Sequence, residues 1–176
     1  MNRERGGRVV GLLYLSFATK LIVNASKRVA QMSALLFIHI FAVAFWLGCV
    51  AVEIVVEQVG LRNATLRPAV PQLHFYVDRF VEIPAFSTVL ITGLLMFDTA
   101  SFTTDWVYAT KVICGLLAVG ANIYSIYPVI KRKYAADAGD KVAVRHYGKL
   151  LDATVPVGLP AALVALGIGL HWAGLY

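Results

Sequence analysis

The chain has 176 residues, 59% of them apolar and only 15% charged, with a formal charge of +6. Its mean hydropathy of +0.72 lies outside the range of soluble domains and makes it an integral membrane protein. The basic residues sit in short segments flanking apolar runs, so membrane insertion accounts for the charge and nucleic-acid binding is excluded.

Residues 1–31, MNRERGGRVVGLLYLSFATKLIVNASKRVAQ, carry six basic residues. Three readings fit this extension. A signal peptide would end near Val23-Asn24-Ala25, although Lys20 interrupts its apolar region. An interfacial helix or a fifth span is the second. The third, which we prefer, starts translation at Met32, because MSALLFIHIF opens directly into the first span. The expected organisation is an extension, 1–31, and a membrane domain, 32–176.

Four apolar spans follow, at about residues 33–56, 80–97, 106–130 and 150–174. Each is near the roughly 20 residues that cross the hydrocarbon core. The second is the shortest; Pro71 can start its helix early on the amphipathic turn PQLHFYVDRF, and Pro84 can kink it. Short connections make the helices antiparallel neighbours, which predicts an all-α polytopic protein, a four-helix transmembrane bundle with an extra N-terminal helix as an option. Arg62, Arg67 and Arg79 lie between spans one and two, and Lys131, Arg132, Lys133, Lys141, Arg145 and Lys149 between three and four. The loop FDTASFTTD and the C-terminus carry none, so nine basic residues against zero put those two loops in the cytoplasm and both ends of the core outside.

His39, Trp46 and Glu53 follow one another at heptad spacing inside span one and share a helix face. An imidazole and a carboxylate at membrane depth mark a site. His171 falls at the depth of His39 on span four; two imidazoles on different helices suit haem iron, or supply half the ligands of a copper ion. Gly167 and Ala42, one turn from each histidine, leave room for a flat macrocycle. Lys111, Gly115, Ala118, Asn122 and Ser125 form a small, polar stripe on span three that points inward. Lys111 either snorkels to the outer headgroups or faces the chamber of His39, His171 and Met96, where it would bind a propionate or a quinone oxygen. At the cytoplasmic end Glu53, Glu82 and Asp152 come to similar depth. Arg79, Arg145 and Lys149 are expected to pair with these carboxylates, except Glu53, which lies deepest and suits proton exchange. His74 and His146, beside Asp78, Arg79 and Arg145, are expected to be wet interfacial residues. Cys49 and Cys114 fall at different depths, so no disulfide is expected. Small residues Gly158, Ala161, Ala162, Ala165 and Gly169 serve helix packing on span four. No nucleophile triad, phosphate loop or zinc spacing is present.

With these residues in place, the chain resembles the membrane domain of the copper-resistance D (CopD) family and the related small HemJ-type membrane proteins associated with protoporphyrinogen oxidation. The resemblance runs from His39 to about Lys133. It is carried by His39, Trp46 and Gly48; Arg79 and Phe80; Phe86-Ser87 and Thr92-Gly93; and Thr104, Tyr108, Lys111 and Asn122 leading to Pro128. It implies a metal or tetrapyrrole site built around His39. The chain departs from HemJ-type proteins in having no basic residue just after Trp46, and from copper transporters in its few Met and Cys residues.

The reading is a haem b-binding redox protein of the bacterial inner membrane, exchanging electrons with a quinone or porphyrinogen. His39 and His171 are the expected axial ligands, Trp46 and Asn122 line the cofactor, and Lys111 and Glu53 are the candidate catalytic groups. Copper uptake, with His39, Met96 and His171 as ligands, is the alternative. A third is a non-catalytic subunit, homo-oligomeric or part of a larger membrane complex.

Overall fold

The computed structural model describes residues 34–172, all helix and turn with no strand among them. The extension 1–31 and the start at Met32 lie outside the described residues. The chain divides into two compact units, Met1–Ile38 and His39–Tyr176. Of the first, the described part is one helical turn; everything below concerns the second.

Helix α1, Ala34–Arg62, is 29 residues long and apolar enough to cross a membrane. Trp46, Glu53 and Gly60 are buried along one face at heptad spacing, with His39 half-buried in line. Phe45, Val52 and Val55 are exposed on the rest of the surface. That distribution suits a helix in lipid, where apolar side chains need no protein cover. Two contacts end α1. The Arg67 guanidinium donates to the carbonyls of Gly60 at 3.3 Å and Leu61 at 2.7 Å, satisfying acceptors that a helix end leaves orphaned. Val70 then crosses Gly60 so closely that a Cβ at 60 would clash with Val70 Cγ2.

A 3-10 turn at Arg67–Ala69 leads into α2, Val70–Val77, with Pro71 in its first turn as expected. Asp78–Glu82 forms a π-helical turn, in which the Ile83 amide donates to the Asp78 carbonyl, and α3 follows as Ile83–Leu95. Pro84, in the first turn of α3, has no N–H to give the ordinary helical ladder. The expected kink is therefore a wide turn just ahead of the proline.

The loop after α3 is built on two capping aspartates. Asp98 accepts from the amides of Ala100 and Ser101 and caps a short helix, α4, Thr99–Thr104. The Ser101 hydroxyl, first, and these amides hold the Asp98 carboxyl below its ordinary range. Asp105 repeats the cap at 2.8 Å to the Val107 amide and starts α5, Trp106–Asp137. Such caps each stabilise a helix start by about 1 kcal/mol. Gly139, at φ +72, turns the chain into α6, Lys141–Asp152, capped by Asp140. A turn at Ala153 and Thr154 joins α6 to α7, Val155–Trp172. Among the described residues three runs, Ala34–Arg62, Trp106–Asp137 and Lys141–Trp172, have the length and composition to cross a membrane.

Ala42, Val43 and Trp46 of α1, Ala85, Phe86 and Val89 of α3, Ala118 and Val119 of α5 and Ala162 of α7 form one core. Helix α5 packs along α7 and α6 and against α2. A Cβ at Gly158 would stand 3.1 Å from the Ala121 Cβ, so α5 and α7 approach through small residues.

The Gly60 and Val70 crossing supplies a test. Gly60→Ala is expected to lower unfolding stability in detergent by about 1–3 kcal/mol, the usual cost of overpacking. Adding Val70→Ala should return most of the loss; an unchanged midpoint for Gly60→Ala would mean that the two helix ends do not meet.

Candidate functional site

Two polar clusters stand at different depths of α1, centred on residues 14 apart and so about 20 Å along the helix.

The first begins with His39. Its Nδ1 lies 2.8 Å from Thr92 Oγ1. Thr92 already directs its hydroxyl to the Thr88 carbonyl at 2.6 Å, so its oxygen is left to accept and Nδ1–H is the donor. Nε2 then carries the lone pair. Gly93 lets α3 reach the ring, since a Cβ there would already touch His39 Cε1 at 3.4 Å. Lys111 is close enough to act electrostatically on His39. Its stem passes Gly169 of α7, whose Cβ would stand 3.4 Å from Lys111 Cε, and its Nζ lies 6.0 Å from the Tyr108 ring centroid. Tyr108 stacks on Trp172 at 5.5 Å, and its hydroxyl accepts from the Asp98 amide at 3.0 Å. His171 is exposed, two residues past Gly169 and so about 200° around α7 from the side that meets Lys111. Met96 caps α3, its carbonyl 3.5 Å from the Tyr108 hydroxyl.

The second cluster gathers four helical segments. Trp46 Nε1–H donates to Glu82 Oε1 at 2.9 Å. The Asn122 amide, oriented with its nitrogen toward the same oxygen, donates at 3.2 Å and accepts from Trp46 at 3.3 Å. Thus Trp46 and Asn122 do meet, on a carboxylate. Beyond them His74 Nδ1 stands 3.0 Å from Glu57 Oε1, and Arg132 grips both oxygens of Glu57, one of them at 2.9 Å through Nη2. His74 Nε2 faces Glu53 Oε2 and Asp78 Oδ1, each at 3.5 Å. Glu53, Asp78 and Glu82 are only 9%, 5% and 3% exposed. Glu53 Oε1 and Asp78 Oδ1 have no hydrogen-bond donor.

Glu53, Glu57, His74, Glu82, Trp46 and Asn122 border a cavity of about 270 Å³ between α1, α5 and α7. Cys49 and Cys114 are free thiols, as their depths lead one to expect.

Two sequence expectations are corrected here. His74 is not a wet interfacial residue: it is largely buried at the centre of the cluster, because the early start of α2 turns it toward α1. Glu82 takes Trp46 and Asn122 as partners, and among the described residues no ion pair joins it to Arg79, Arg145 or Lys149. Asp152 lines the cavity from an exposed position. Glu57, Asp78 and Arg132 are site residues that the sequence reading passed over. The signal for Glu57 and Asp78 was the four-residue spacing of Glu53 with Glu57 and of His74 with Asp78, which places each pair on one helix face; Arg132 had none.

Arg132→Met should cost about 2 kcal/mol, the worth of charge-assisted hydrogen bonds whose partner stays behind. Adding Glu57→Met should recover much of that in chemical denaturation, because the stranded carboxylate goes too. Purely additive losses would show that the two side chains act separately.

Comparison with protein-family models, curated proteins and solved structures yields no match to this chain.

Proposed function

We propose that the protein is a membrane redox protein of the CopD-like and HemJ-like group, holding a b-type haem through His39. One observation carries the reading: Thr92 takes the Nδ1 proton of His39 and leaves Nε2 as a bare base within an apolar helix. A metal-ligating histidine needs that arrangement, with an oxygen on the far nitrogen to fix tautomer and ring orientation. The donor set therefore fits a haem iron, with His39 as ligand, Thr92 as its positioning residue and Gly93 keeping α3 close to the ring. Bound haem supplies one-electron chemistry, here with a quinone or porphyrinogen as partner. Lys111, electrostatically coupled to His39, steers an anionic oxygen of the cofactor or partner.

In this reading the chain crosses the inner membrane of a bacterium four times as an antiparallel bundle. The segment from α2 through the π turn to α3 makes the second crossing in one continuous helical run, since α3 alone has 13 residues. The nine-to-zero distribution of basic residues puts the turn at Gly139 in the cytoplasm and the C-terminus outside. A reporter inserted at Gly139 should be active on the cytoplasmic side and one fused after Tyr176 on the outer side. The opposite pattern overturns the orientation.

The full-length protein purified in detergent should show a Soret band. His39→Ala should abolish it with helicity retained, and Thr92→Val should weaken haem retention about 10–100-fold, as loss of a partner behind a ligand does. His171→Ala is expected to leave the spectrum unchanged, because the exposed side of α7 carries it; a shifted Soret band would make it the second axial ligand. A full Soret band in His39→Ala overturns the assignment, and copper in the wild type without a Soret band moves the function to copper uptake.

A further inference from the structure

His74 repeats the logic of His39 in a different electrostatic setting. Its Nδ1 is held by Glu57 at 3.0 Å, and Glu57 is itself fixed by the two-pronged grip of Arg132. With the proton on Nδ1, Nε2 presents a lone pair, and what it meets is two more acceptors: Glu53 Oε2 and Asp78 Oδ1, both at 3.5 Å. The three ligand atoms lie within 4.8 Å of one another. With His74 neutral and both carboxyls ionised, three lone-pair atoms converge here and repel unless a cation stands among them. The Asp78 side chain is more than nine-tenths buried and that of Glu53 nearly so, and each has an oxygen without a hydrogen-bond partner, Asp78 Oδ1 and Glu53 Oε1. Arg132, the cation of the cluster, is already committed to Glu57.

We propose that Glu53, His74 and Asp78 bind a divalent first-row transition-metal ion. The spacing suits one. Bonds of about 2.1 Å at the tetrahedral angle put ligand atoms about 3.4 Å apart, against the 3.5 Å between His74 Nε2 and each carboxylate oxygen. One imidazole and two carboxylates form a borderline-hard set that suits Zn²⁺ and its neighbours, and offers Cu⁺ none of the thiolate or thioether ligands it favours. The dication compensates the two buried carboxylates. Glu57 and Arg132 stand behind His74 as the oxygen and counter-charge that orient a metal-bound imidazole. Glu53 and His74 also border the 270 Å³ cavity, which gives the remaining coordination position to water or a small anionic ligand. The site is independent of haem at His39, which lies about 20 Å away along α1.

Calorimetric titration of Zn²⁺ into chelator-treated, full-length protein in detergent tests the proposal. One equivalent should bind, with His74→Gln and Asp78→Asn each weakening affinity at least tenfold and Glu57→Gln weakening it about 10–100-fold. His146→Gln, on the exposed side of α6, should leave the titration unchanged. No binding by the wild type, or affinity that survives both His74→Gln and Asp78→Asn, overturns the proposal and leaves an imidazolium as the cation of the cluster. Should the variants fail to fold, the wild type decides alone. Bound Co²⁺ is expected to give the intense d–d absorption of a four-coordinate site, and the weak bands of a six-coordinate ion would overturn it.

Discussion

The Arg132 guanidinium gives two of its donors to Glu57, and Glu57 in turn fixes the imidazole of His74, so one interaction joins α5, α1 and α2. The rest of the polar interior depends on it. Apolar packing cannot set the rotation of helices whose outer surfaces are as apolar as their inner ones, as in α1 with Phe45, Val52 and Val55 exposed. Directional bonds between buried charges can, because a charge left unpaired in that environment costs several kcal/mol. Once α1 is turned so that Glu57 meets Arg132, the heptad line brings Glu53 to His74, Trp46 to Glu82 and His39 to Thr92.

The two histidine centres share a construction and differ in charge. Each has Nδ1 against an oxygen, Thr92 Oγ1 in one and Glu57 Oε1 in the other. Among the described residues the neighbours of His39 are a threonine, a glycine and the cation Lys111, and those of His74 are carboxylates. A site ringed by anions favours a bare dication, whereas a neutral imidazole beside a lysine favours a large ligand that brings its own negative groups. The proposed division of labour, haem at one depth and a metal ion at another, follows from that difference.

Much of this was legible in the chain. Helix periodicity located α1, α5 and α7, the early start of α2 at Pro71, and the face shared by His39, Trp46 and Glu53. Asn122 was placed inward on the stripe of α5 and does reach the interior. What was not legible is pairing at a distance: Arg132 and Glu57 are 75 residues apart, and nothing local to Arg132 separates it from Lys131 and Lys133. Loop charge explained all three equally well. His74 was misplaced for a related reason, because a histidine between a proline-started turn and Asp78 has the composition of an interface and the geometry of a core.

The π-helical turn at Asp78–Glu82 has a consequence for how such a site can change. Val70, His74, Asp78, Glu82 and Phe86 recur every fourth residue, and in an uninterrupted α-helix that series drifts by about 160° around the axis. One wide turn holds an extra residue and takes back about 100° of that drift, so the ligands of α2 and the core positions of α3 face the same way. The phase of the segment is thus a matter of residue number rather than residue type. Descent by substitution alone can alter the ligands one at a time. A single deletion in the turn would instead rotate His74 and Asp78 away from α1 together, with every side chain intact, so a lineage could lose or regain the whole centre in one genetic event.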